Sequence, residues 1–214
     1  MNRELFSLLV WIPMGLMGLV AFTGIVKLKK LGYSQKLIAL LCGVSLLIEL
    51  CAKYLWQFRI NNYFVYHLYS VAEFTILALL YSQVFQNTFL RKFLRYCIVA
   101  IWFFAAFNAI FWQPLDTSNT HVASVTYIVW MVIPIVFFFQ ITTDLRYQHL
   151  EKSAMFWINI GVLIFHASIF VLITFSNRVA ELTLLETGEL WKLNIAISTL
   201  TYTIFLISLW MKPE

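Results

Sequence analysis

The chain has 214 residues, of which 62% are hydrophobic and only 12% charged, with a formal net charge of +5. A water-soluble chain is about half apolar and about a quarter charged, so this one lacks the polar surface that covers a globule in water and belongs in a bilayer. Seven helical spans would use roughly 140 positions, which leaves too little chain for a separate catalytic, nucleic-acid-binding or ligand-binding domain in water.

Seven apolar stretches are separated by short polar breaks, near Leu5 to Val26, Leu37 to Gln57, Tyr63 to Gln86, Phe93 to Trp112, Val122 to Thr142, Phe156 to Phe175 and Leu190 to Met211. A closed barrel would show segments of about 10 residues with alternating polarity. Continuous runs such as Ile128 to Phe139 predict helices instead. Arg3 precedes the first stretch as it would a signal peptide, but the apolar core is too long and no small-residue cleavage site follows, so this stretch is expected to remain as a helix. The expected fold is a single all-α domain over residues 1–214, a polytopic bundle of seven transmembrane helices.

Lys and Arg set the orientation, because basic short loops are retained in the cytoplasm. Lys27, Lys29, Lys30, Lys36, Arg91, Lys92, Arg95, Arg146, Lys152 and Lys212 fall on one side, which is 10 of the 15 basic residues. Arg3, Lys53, Arg59, Arg178 and Lys192 lie on the other side or within spans, where the loops also carry Asp116, Glu181, Glu186 and Glu189. The amino terminus is therefore expected outside and the carboxyl terminus inside, in a bacterial inner membrane. The positive charge is explained by this topology and by anionic inner-leaflet lipids, with no need for a nucleic-acid partner.

Ionisable residues within the spans carry the functional signal, since each costs about 2.5 to 3.5 kcal/mol at mid-depth. Glu49 and Lys53 are four residues apart on the second helix and are expected to share a face as an ion pair. On the third, Asn62, Tyr66, Tyr69 and Glu73 recur at i, i+4, i+7 and i+11 as one stripe, beside His67 and Ser70. Glu73 must be protonated or paired at that depth, and a cluster with Glu49 and Lys53 is one solution. Asn108 ends the fourth helix, His166 lies mid-span in the sixth, and Asn194, Ser198 and Thr201 line one face of the seventh. Each alone reads as packing or interhelical glue. Together Glu49, Lys53, Asn62, Tyr66, His67, Tyr69, Ser70, Glu73, Asn108, His166, Asn194 and Ser198 map to the outer half or midplane, which predicts a polar, outward-facing ligand pocket above a plainer inner half.

Cys42, Cys51 and Cys97 fall inside helices and read as small packing residues. No His-x-x-x-His or Glu-x-x-His spacing supports a metal site. Trp11, Trp56, Trp112 and Trp191 sit near span ends as interfacial anchors, and the aromatic content calls for no cofactor. A retinal protein is disfavoured because Lys192 is only at the edge of the last span.

The run Asn61-Asn62-Tyr63-Phe64-Val65-Tyr66-His67-Leu68-Tyr69-Ser70-Val71-Ala72-Glu73-Phe74, with Leu47-Ile48-Glu49 before it, resembles a signature of a family of small seven-helix integral membrane proteins common in Bacteroidota. The resemblance implies the fold and no particular activity. Association of such proteins with neighbouring signalling genes implies a sensory role.

Three functions are weighed. The leading expectation is a binding or sensor-like protein whose pocket takes a small or lipid-like ligand and which signals through a membrane partner. A small-solute or proton-coupled transporter would use Glu73 as its titrating group, but 7 Gly and 4 Pro supply few of the broken helices that carriers use. An intramembrane lipid hydrolase would use His67 or His166 with Glu49 or Glu73, yet the chain has no Gly-x-Ser-x-Gly motif, so the expectation leans away from an enzyme.

Overall fold

The computed structural model describes residues 9–143, 149–176 and 184–213, with side chains from 173 to 189 left aside. Arg3, Leu5, Arg146, Arg178 and Glu181, and the side chains of Glu186 and Glu189, thus lie outside the described residues. The described residues form helices and no named strand: α1 (Trp11–Val26), α2 (Tyr33–Gln57), α3 (Tyr63–Val84), α4 (Thr88–Phe111), α5 (Thr120–Thr143), α6 (Ala154–Ser176) and α7 (Leu184–Ser208). A single 3-10 turn, Leu150–Lys152, precedes α6. By length and composition six of these helices suit a membrane crossing, and α1 is a shorter apolar helix. The exposed surface agrees, with Phe22, Leu47, Phe103, Ile110 and Phe139 turned outward. Such side chains have no reason to face water and every reason to face lipid tails.

Local chemistry sets where the helices start. Gly32 N–H donates to Gln35 Oε1 (2.8 Å) at the head of α2, and Asn87 Oδ1 accepts from the Phe89 N–H (2.8 Å) at the head of α4. These caps explain why α2 and α4 begin four and five residues before the apolar runs do. The end of α3 is held by Gln140, which takes the Gln86 N–H (3.0 Å) and donates to the Val84 carbonyl (3.2 Å).

Neighbours in sequence pack side by side, and α7 returns to α1, so the bundle closes on itself. Within it α3 is the most buried helix, touching α2, α4 and α5, whereas α4 lies at the edge with only Leu94, Ile101 and Asn108 buried. Two glycines let helices approach closely. A Cβ at Gly24 of α1 would overlap Ala39 Cβ of α2, and one at Gly161 of α6 would run into the Phe205 ring of α7.

The end of the bundle that bears Lys27, Lys29, Lys30, Arg91 and Lys152 is stitched by backbone carbonyls. Gln35 Nε2 donates to the carbonyls of Ser208 (2.8 Å) and Met211 (3.2 Å) beyond α7. Lys27 Nζ reaches the Leu209 carbonyl at 3.4 Å and lies over the Trp210 ring. The Ala154 N–H donates to the Lys212 carbonyl (3.0 Å) and the Lys212 N–H to the Lys152 carbonyl (2.9 Å). Next to this end Phe74, Tyr81, Phe85, Trp130 and Phe137 form a buried aromatic block, with Phe74 and Trp130 centroids 5.0 Å apart and Tyr81 stacked on Trp130 at 5.8 Å.

That half is less plain than expected. Tyr81 donates to Asn159 Oδ1 (2.6 Å), and Asn159 Nδ2 donates to the Pro134 carbonyl (3.0 Å), a fully buried polar bridge from α3 through α6 to α5. Cys51 also departs from expectation: it faces outward, while Cys42 is buried.

Gly24→Ala is expected to part α1 from α2 and lower the melting temperature in detergent by several degrees, in line with about 1 to 3 kcal/mol for overpacking. Gly15→Ala, where an added Cβ meets nothing within 4 Å, should leave it unchanged. Equal melting of the two variants would contradict this packing.

Candidate functional site

The stripe expected on α3 divides by face. Tyr66, Tyr69 and Glu73 look toward the axis between α2, α6 and α7, whereas His67 and Ser70, one residue on, look toward α5 and the loop before it. An α-helix turns about 100° per residue, so one position is enough to change the neighbour.

On the axial face a chain of contacts links three helices. Ser45 of α2 donates to the Leu41 carbonyl (2.8 Å) and lies 3.1 Å from the Tyr69 hydroxyl. Tyr69 is 2.9 Å from Glu73 Oε1, and Glu73 Oε1 is 3.6 Å from His166 Nε2. Both Glu73 and His166 are 2% exposed. The opposite nitrogen of His166 is 2.8 Å from the Val162 carbonyl, which accepts only, so Nδ1 carries a proton and Nε2 is the atom turned to Glu73. The three oxygen contacts from Leu41 to Glu73 share two hydroxyl protons. His166 Nε2, at 3.6 Å from Glu73, is buried without a hydrogen-bond partner.

This chain forms one wall of a pair of adjoining cavities. The smaller, about 10 Å³, is bounded by Ser45, Tyr69, Glu73, His166, Thr201 and Tyr202. That is about the space of one water. The Thr201 hydroxyl is fully buried there without a hydrogen-bond partner. The larger, about 180 Å³, is bounded by Glu49, Tyr66, Tyr69, Tyr127, Phe165, Asn194, Ser198 and Tyr202 and by Met17, Ser45, Ile48 and Ile169. Ser45, Tyr69, Phe165 and Tyr202 line both, so the two lie side by side. Trp130, with its centroid 6.4 Å from that of His166, begins the aromatic block beyond them.

Of the sequence-predicted residues, Glu49, Tyr66, Tyr69, Glu73, His166, Asn194 and Ser198 thus come together. His67, Ser70 and Asn108 do not. They join a second polar network at the end of the bundle opposite the basic one, where His67 Nε2 is 3.1 Å from the Thr117 carbonyl and Asn119 Nδ2 donates to Ser70 Oγ (3.2 Å). Asn108, fully buried, donates to Gln113 Oε1 (3.2 Å), and its carbonyl oxygen is 3.0 Å from His121 Nδ1. This network ties α3, α4 and α5 to their connecting loop, and His67, Ser70 and Asn108 line neither axial cavity. Asn62 donates to the Ala52 carbonyl (3.0 Å), bracing the α2–α3 turn.

Lys53 departs from its expected role. Its Nζ lies 3.4 Å from the centroid of the Trp11 ring, and no ion pair within 4 Å joins it to Glu49 or Glu73 among the described residues. A desolvated ammonium gains about as much from an aromatic face as from a half-buried carboxylate, and the approach of α1 to α2 places that face within reach. Ser45, Tyr127, Phe165 and Tyr202 are the wall residues that sequence reading missed. Tyr202 follows Asn194 and Ser198 at the same four-residue spacing, so the stripe on α7 contained it. Tyr127 and Phe165 carry no such signal in an aromatic-rich chain. Asn119, Gln113 and His121 were hidden by lying in or beside a loop.

No group of three or more His, Cys, Asp or Glu side chains is placed to hold a metal ion among the described residues. Searches against family models, curated proteins and solved structures find no match to the chain.

Glu73→Gln and His166→Gln should be coupled in a double-mutant cycle of thermal stability, by about 0.5 to 3 kcal/mol. Glu73→Gln with His67→Gln should be additive, since those side chains face different neighbours. Additivity in the first pair would remove the contact from the account.

Proposed function

We propose that this chain is a sensor-like binding protein of a bacterial inner membrane. It holds a small ligand in the axial cavity and passes the bound state to a membrane partner through helix movement. The observation that carries the reading is a cavity bounded by residues from α1, α2, α3, α5, α6 and α7, beside a smaller one that holds the buried Glu73–His166 contact. A ligand that settles between so many helices contacts each of them, and a difference in those contacts between two arrangements is what lets binding shift a conformational equilibrium. At about 180 Å³ the space is below the roughly 300 to 1,000 Å³ of drug-sized pockets, so the ligand is small.

The aromatic block of Phe74, Tyr81, Phe85, Trp130 and Phe137 favours binding over transport. It fills the bundle between the cavity floor and the basic end with buried rings. A carrier also needs a gate toward that side, ordinarily made by broken helices, and α3 runs unbroken past the block. With the basic loops in the cytoplasm, the cavity lies in the outer half and the block in the inner half. The hydrolase reading loses His67, which is tied to the Thr117 carbonyl at 3.1 Å.

Native mass spectrometry of the protein in mild detergent tests the reading. A small molecule is expected to co-purify with the wild type and to be lost from Ser198→Phe, whose ring fills the cavity while Glu73 and His166 stay in place. An identical bound species in both forms, or none in either after gentle extraction, would count against a pocket at this position.

A further inference from the structure

The walls of the larger cavity specify the charge of what it holds. Glu49 lines the wall, and among the described residues it makes no hydrogen bond and no ion pair within 4 Å; the Lys53 charge acts on it only from farther away. The nearest basic side chain in sequence, Lys53, is turned to the Trp11 ring at 3.4 Å. Among the described residues no Lys or Arg lines the cavity. The rings of Tyr66, Tyr69, Tyr127, Phe165 and Tyr202 line it with Glu49. Aromatic faces carry negative potential and attract cations, so charge and rings act in the same direction. In the smaller cavity alongside, the fully buried Thr201 hydroxyl has no hydrogen-bond partner.

We infer that the cavity binds a small organic cation, an alkylammonium held by the Glu49 carboxylate and the surrounding tyrosine rings. This rests on the pocket reading above and adds the ligand class to it. The physical driver is the cost of leaving a carboxylate unpaired in a membrane interior, which an organic cation offsets at the same time as it gains ring contacts. A hard metal ion is a poor match, because it demands about six oxygen ligands in a shell, and a wall of rings does not supply them. An anion would meet Glu49 with no basic side chain lining the cavity among the described residues.

Isothermal titration calorimetry with propylammonium, its neutral isostere 1-propanol and the anion propionate separates these possibilities on the purified protein. Propylammonium is expected to bind at least tenfold more tightly than 1-propanol, with no binding of propionate. Glu49→Gln should abolish that preference. Tyr127→Leu, which leaves the carboxylate in place, should weaken propylammonium several-fold with little effect on 1-propanol, and melting curves verify that both variants fold. Equal affinity for propylammonium and 1-propanol, or tighter binding of propionate, overturns the cation assignment. A ligand that co-purifies with the wild type and is lost from Ser198→Phe, together with no binding of propylammonium, overturns this inference alone. Absence of both overturns the pocket with it.

Discussion

Within a bilayer a polar side chain has no water to turn to, and the bundle is organised by where each one finds a partner. The third helix shows this most fully. Its Tyr69 and Glu73 meet Ser45 and His166 on the axis. Its His67 and Ser70 meet Thr117 and Asn119 of the loop before α5. Its Tyr81 meets Asn159 near the basic end. Three polar groups on one helix thus point to three different neighbours, and each contact fixes the rotation and depth of α3 against another part of the bundle. A shift of α3 by one residue would leave all three unsatisfied, at about 1 to 3 kcal/mol for each.

The rest of the packing fits around that choice. Close approach at Gly24 and Gly161 draws α1 to α2 and α6 to α7, while the aromatic block occupies the space between α3 and α5. The carbonyls of Ser208, Leu209, Met211 and Lys212 beyond α7 are taken up by Gln35, Lys27 and the Ala154 N–H. That end is consequently tied.

Much of this arrangement was legible in the sequence. The seven helices follow from hydropathy, and their ends differ from the apolar runs where Gln35 and Asn87 extend α2 and α4 by side-chain bonds. The stripe of Tyr66, Tyr69 and Glu73 follows from helical periodicity, as does its mate of Asn194 and Ser198. Periodicity alone does not assign a neighbour, which is why His67, Ser70 and Asn108 were grouped with a cavity they do not line. The Lys53 contact with Trp11 depends on how α1 crosses α2, and no pattern within either helix encodes that crossing. Asn159 appeared as a lone amide in an apolar run, and its meaning comes from Pro134 on another helix.

The central claim is that the axial face of α3 borders a polar cavity open to small solutes from the outer side of the membrane. Single cysteines at Ser198 and at the buried Ser82, with the native cysteines replaced, test it in intact cells treated with a membrane-impermeant cationic methanethiosulfonate. The account predicts rapid modification at position 198, slowed by propylammonium, and none at position 82. No modification at position 198 until the membrane is permeabilised would contradict the orientation, and none even then would contradict the cavity itself.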